Sequence, residues 1–150
     1  MKPPVRYGLM IAVGMMAWVI VAHLLVPNPK SLVHSFGVVT FSNLLHFAGI
    51  YLALKATERE RRDKLAFKEG IKIGVTTSFI YAITVSLFFV GVLLIVGTKW
   101  VEAEGSAPDM PIWLVAARAF AGLFVVSMFF GLVYSTLISF VLAKRKSDDQ

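Results

Sequence analysis

The residues best equipped for chemistry in this chain are few, and most of them sit in apolar surroundings. Asn43 and His46 are three apart, which on a helix places them on roughly one face. An imidazole at that position can relay a proton, and a carboxamide can donate and accept hydrogen bonds together. Arg118 is a permanent positive charge within a different apolar run. His23 and His34 form a second imidazole pair that could in principle hold a metal or haem. Nothing near them supplies a third and fourth ligand, and without cysteine no haem-attachment motif exists, so no cofactor is expected. All nine acidic residues lie outside the apolar runs, which removes paired-carboxylate chemistry from those runs. The sequence has no G-x-S-x-G, P-loop, H-E-x-x-H or G-x-G-x-x-G pattern and no thiol nucleophile. It is not expected to be an enzyme.

The elements that carry these residues are four long apolar stretches, at about 7–26, 36–54, 73–97 and 112–142. About 20 apolar residues of helix cross a hydrocarbon core of ~30 Å, so each stretch can span a bilayer. Of the 150 residues 57% are hydrophobic and only 16% charged, whereas a soluble domain carries about 45–50% and about 25%. The spans consume almost all of the chain and leave no room for a soluble catalytic domain. A single transmembrane domain over 1–150 is expected. The first run is longer than a signal-peptide core and lacks a small-residue cleavage site, so it reads as a retained span.

Charge sets the expected orientation. Lys2 and Arg6, seven Lys and Arg between 55 and 72, and Lys144, Arg145 and Lys146 make twelve on one side, against Lys30 and Lys99 on the other. By the positive-inside rule both termini are cytoplasmic. Short connections make consecutive spans antiparallel neighbours, so the expected fold is all-α, an up-down-up-down four-helix transmembrane bundle. The net charge of +6 therefore points to lipid headgroups and topology, and not to nucleic acid.

The basic segment 55–72 reads as helical. Glu58/Arg62 and Arg59/Asp63 have the spacing of intrahelical ion pairs. Lys64, Lys68 and Lys72 recur every four residues beside Phe67 and Ile71, a pattern that suits a helix resting on the membrane surface among headgroups, or simply a solvated loop. The proline-bearing outer segment 98–111 carries Glu102, Glu104 and Asp109. Arg118 lies about 9 Å inside the fourth span and can snorkel towards those carboxylates, or else meet an anion. Trp18 is too deep for the interfacial belt and reads as a packing residue.

Helices in lipid associate through small residues and interhelical hydrogen bonds. Ser127, Gly131, Ser135 and Ser139 recur every four residues on span four, Gly70, Gly74 and Ser78 do so at the entry to span three, and Gly8 and Ala12 on span one. These faces predict close packing within the chain, with one of them open to a second copy. Thr84, Ser86 and Ser127 are expected at the depth of Asn43 and His46, forming a polar midplane layer that either locks the bundle or lines a path.

The stretch Leu65-Ala66-Phe67-Lys68-Glu69-Gly70-Ile71-Lys72-Ile73-Gly74, the opening Arg6-Tyr7-Gly8-Leu9 and the basic exit from span two resemble a family of uncharacterised bacterial four-span inner-membrane proteins. The outer segment after span three is shorter and less acidic than that family often has. The resemblance implies the fold and a bacterial inner-membrane setting, and it supplies no catalytic residues. The expected role is that of an accessory, assembly or self-associating membrane subunit whose partners are the bilayer and a second copy or another membrane protein. The alternative is a small dimeric transporter or channel with Asn43, His46 and Arg118 near its path.

Overall fold

The computed structural model describes residues 1–25, 32–62, 65–97 and 110–147. They form four helices: α1 (Pro3–Leu25), α2 (Leu32–Arg61), α3 (Phe67–Val96) and α4 (Ile112–Ser147). All four are long and apolar enough to cross a membrane. The helix ends follow local chemistry. Pro3 opens α1, where its missing N–H would have no partner in any case. At the other end of α3 the chain leaves the helix through Gly97, whose φ of 83° favours a residue without Cβ and whose N–H reaches Leu93 O at 2.9 Å. Pro111 starts α4 by lending its carbonyl to Leu114 N at 2.9 Å.

The contacts run in opposite residue order along consecutive helices. Ile11 fills the notch at Gly49, Gly14 meets Leu45, and Trp18 stacks on Phe41 with ring centroids 4.4 Å apart. Trp18 thus packs α1 on α2, as expected from its depth. Helix α3 touches the other three helices, α2 does likewise, and α1 and α4 do not meet among the described residues. The section is a rhombus with α2 and α3 on its short diagonal. One core cluster joins Ile50, Ala53 and Leu54 to Leu65, Ile73, Ile138 and Leu142, with Tyr7 against it. The start of α1, the α2–α3 turn and the end of α4 therefore share one end of the molecule. Another cluster joins Ile11, Met15 and Val19 to Tyr81 and Val85. Most of the outer surface is apolar, including Val13, Leu44, Val126, Phe129 and Phe140, which suits contact with lipid tails.

The segment 55–72 is helical over most of its length, as expected: α2 continues to Arg61 and α3 begins at Phe67, so among the described residues its helical parts extend α2 and α3 and form no helix of their own. Arg62 takes a left-handed φ of 55° and leaves the helix, which breaks the spacing of the expected Glu58/Arg62 pair. Glu58 pairs with Lys55 at 2.8 Å instead and accepts from Leu65 N at 3.4 Å. Glu69 holds the other side of the turn, accepting from Ala66 N at 3.2 Å and from Arg61 Nη1 at 2.9 Å. Two carboxylates thereby tie the end of α2 to the start of α3. Lys68 and Lys72 are exposed on the first turns of α3, while Asp63 and Lys64 lie outside the described residues.

Candidate functional site

Three rungs join α3 to α4. Gly70 faces Ser139, Gly74 faces Ser135, and Ser78 faces Gly131. Each rung pairs a glycine with a serine, and the glycine changes helix at the third. A Cβ on Gly70 would stand 2.9 Å from Ser139 Cβ, one on Gly74 2.6 Å from Ser135 Cβ, and one on Gly131 would overlap Ser78. The four-residue periods of the two helices are thus spent on each other, within one chain. Gly8 plays the same part for α1, whose backbone lies against Thr77 O and Ile80.

At the third rung the packing becomes polar. Ser78 Oγ donates to Gly74 O at 3.0 Å, and His46 Nε2 lies 3.0 Å from Ser78 Oγ. A hydroxyl has one proton, so with that proton on Gly74 O the imidazole donates through Nε2. The His46 ring lies 4.5 Å from the Tyr81 ring and meets Tyr134 edge-on at 5.6 Å. Tyr134 donates its hydroxyl proton to Asn43 Oδ1 at 2.5 Å, and Asn43 Nδ2 donates to Val39 O at 2.8 Å. Ser127 hydrogen-bonds the Tyr81 side chain. Asn43, His46, Ser78, Tyr81, Ser127 and Tyr134 form one layer contributed by α2, α3 and α4.

His46 is 3% exposed, and a methyl on Gly131 would already touch its Cε1 at 3.5 Å. The layer can orient and hold a neutral hydrogen-bond network. No carboxylate stands in it to exchange a proton with the imidazole, and among the described residues no cluster of three potential metal ligands occurs.

The structure brings Asn43 and His46 together but leaves Arg118 apart. Arg118 is exposed thirteen residues from Gly131, ~20 Å along α4, and its Nη1 lies 3.1 Å from Met110 Sδ. Its expected partners Glu102, Glu104 and Asp109 lie outside the described residues, as does the side chain of His34. Thr84 and Ser86 do not join the layer. Thr84 bonds Ile80 O at 2.8 Å, and Ser86 is fully buried without a hydrogen-bond partner among the described residues. Both lie beyond the layer along α3: Ser78 faces His46, and Thr84 and Ser86 are six and eight residues farther on, ~9 and ~12 Å. Ser127 is one turn from the Gly131 level and serves Tyr81. Tyr81 and Tyr134 were not among the expected residues. Their signal is a phenol in mid-span, where a hydroxyl must find a partner. Comparison with known proteins finds no matching family model, no matching curated protein and no matching solved structure.

Proposed function

We propose that this chain is a non-enzymatic multi-pass protein of the bacterial inner membrane, with both termini cytoplasmic, that acts by associating with a second copy or another membrane protein. The observation that carries the reading is the way the interior is used. Asn43, His46, Ser78 and Tyr134 hydrogen-bond within and between their own helices, and the glycine rungs bring those helices into contact. The working surface is then the exterior. The orientation rests on charge: Lys2, Arg6, Arg59, Arg61, Arg62, Lys68, Lys72 and Lys144 flank the end marked by Tyr7, Leu54, Leu65 and Leu142. The bacterial setting rests on the resemblance carried by the segment around Gly70 and Gly74.

Native mass spectrometry of the protein extracted with its lipids tests the reading. A homodimer or a co-purifying membrane protein is the expected result. A monomer there, joined by an absence of cross-links in intact membranes, refutes it. The second reading, a small dimeric transporter or channel, is favoured by one observation, that the polar layer crosses three helices at mid-depth. It requires His46→Ala to abolish flux, whereas a lock predicts modest destabilisation with transport unaltered.

A further inference from the structure

The small-residue face of α4 is occupied by α3, so self-association needs another surface, and Asn43 marks one. It lies part-exposed on the outside of α2, in a strip of exposed Phe36, Val39, Thr40, Leu44 and Phe47. A carboxamide offers two N–H donors and two acceptor lone pairs. One N–H is spent on Val39 O and one lone pair on the Tyr134 hydroxyl. Among the described residues, one donor and one acceptor remain. Asn43 stands seven residues, ~10 Å, inside the span that begins at Phe36 and farther still from its other end, too deep for so short a side chain to reach headgroups. Lipid tails can satisfy neither group.

We infer that the α2 face around Asn43 is a homodimer surface, in which Asn43 of each copy donates Nδ2–H to Oδ1 of the other. The inference rests on the association reading above and names its partner. A second copy is the occupant because the remaining donor and acceptor complement themselves. A two-fold axis beside Asn43 satisfies both groups on both chains and closes the assembly at two. Any other helix would have to present its own matched donor and acceptor at that depth. The same contact would press on Tyr134, and through it on the His46 ring, tying the dimer to the interior layer.

The absence of cysteine makes the test direct. Thr40→Cys, one turn from Asn43, and Val125→Cys, nine residues from Tyr134 and so on the opposite side of α4, are each treated with a short bis-maleimide in isolated membranes. Thr40→Cys should give a cross-linked dimer and Val125→Cys should not. In lipid vesicles, energy transfer between labelled copies should show Asn43→Leu weakening the dimer on the order of tenfold, the loss of two symmetric hydrogen bonds in a membrane. Val125→Ala, on the opposite side of α4, touches nothing at this face and should leave it unchanged. Circular dichroism confirms that each variant keeps its helices, and the Thr40 cross-link in an otherwise unaltered chain stands independently of the Asn43 variant. A dimer that cross-links at Val125 and ignores Asn43→Leu overturns this face while leaving association intact. Co-purification with a different protein overturns the second copy as partner. A lone monomer in vesicles overturns the inference and the association reading together.

Discussion

Gly74→Ala should separate α3 from α4 along their whole contact, and the expected size follows from the rung geometry. The added carbon would sit 2.6 Å from Ser135 Cβ and 3.1 Å from Ile50 Cγ2. The nearer approach is roughly 0.8 Å short of ordinary carbon–carbon contact. Ser135 cannot swing its Cβ aside, because that atom is fixed to the α4 backbone. The helices must therefore part, and the loss spreads to the Gly70–Ser139 and Ser78–Gly131 rungs. Overpacking of this kind costs about 1–3 kcal/mol. Adding Ser135→Gly removes the obstructing Cβ, so the double variant should regain most of that loss, a coupling of about 1–2 kcal/mol. Gly91→Ala is the control: nothing lies within 4 Å of its added carbon, and the expected change is within about 0.5 kcal/mol. Loss of helical circular dichroism during SDS titration in mixed micelles reads the unaltered chain and all four variants. If Gly74→Ala and Ser135→Gly simply add, α3 and α4 do not face each other at this rung and the ladder is wrong.

The other predictions use the same titration. Ser78→Ala removes the acceptor of His46 Nε2 and should cost about 0.6 kcal/mol, typical of an interhelical hydrogen bond in a membrane; a loss beyond about 2 kcal/mol contradicts a simple lock. Trp18→Phe should be close to neutral, because the buried Nε1 has no hydrogen-bond partner among the described residues, while Trp18→Ala should destabilise by losing the stack on Phe41. A large cost for Trp18→Phe would mean that Nε1 is bonded. Glu69→Gln breaks an exposed ion pair with Arg61 and should change stability by less than about 0.5 kcal/mol, so a larger effect would assign the α2–α3 turn a greater share of the fold.

What was legible in the sequence follows the strength of the physical signal. Spanning length is a signal summed over about 20 residues, and four helices stand near the four apolar runs. The four-residue recurrence of Gly and Ser on the third and fourth spans was legible as packing, and the structure pairs those residues with one another. Helix beyond the apolar run was legible in the charge spacing of the basic segment, and Lys55 to Arg61 are helical, with Lys55 and Glu58 paired one turn apart; the place where that helix breaks was harder to read. The break comes only where Arg62 turns left-handed, and Glu58 and Glu69 reach across to hold the backbone amides beyond it. An arginine carries no turn signal of the kind that glycine or asparagine gives.

The composition of the polar layer follows from which residues of α2 and α3 lie side by side: Leu54 meets Gly70 and Ile50 meets Gly74, so four residues back on α2 are four residues on along α3. Ser78, first read only as a packing residue, arrives opposite His46, and Thr84 falls back on the carbonyl of Ile80. Across the layer, Gly131 carries no polar group of its own. Its place there is to bring α4 close enough for Tyr134, three residues on, to reach Asn43. A residue that contributes only proximity leaves no chemical mark in a sequence. The two tyrosines do leave one, because a phenol in mid-membrane is costly unless its hydroxyl is bonded, and each hydroxyl here is. The interior layer is therefore best understood as phenol, amide, imidazole and hydroxyl meeting each other's needs. The amide, with one donor and one acceptor still unspent among the described residues, on the outer face of α2, is the point at which that network reaches beyond the single chain.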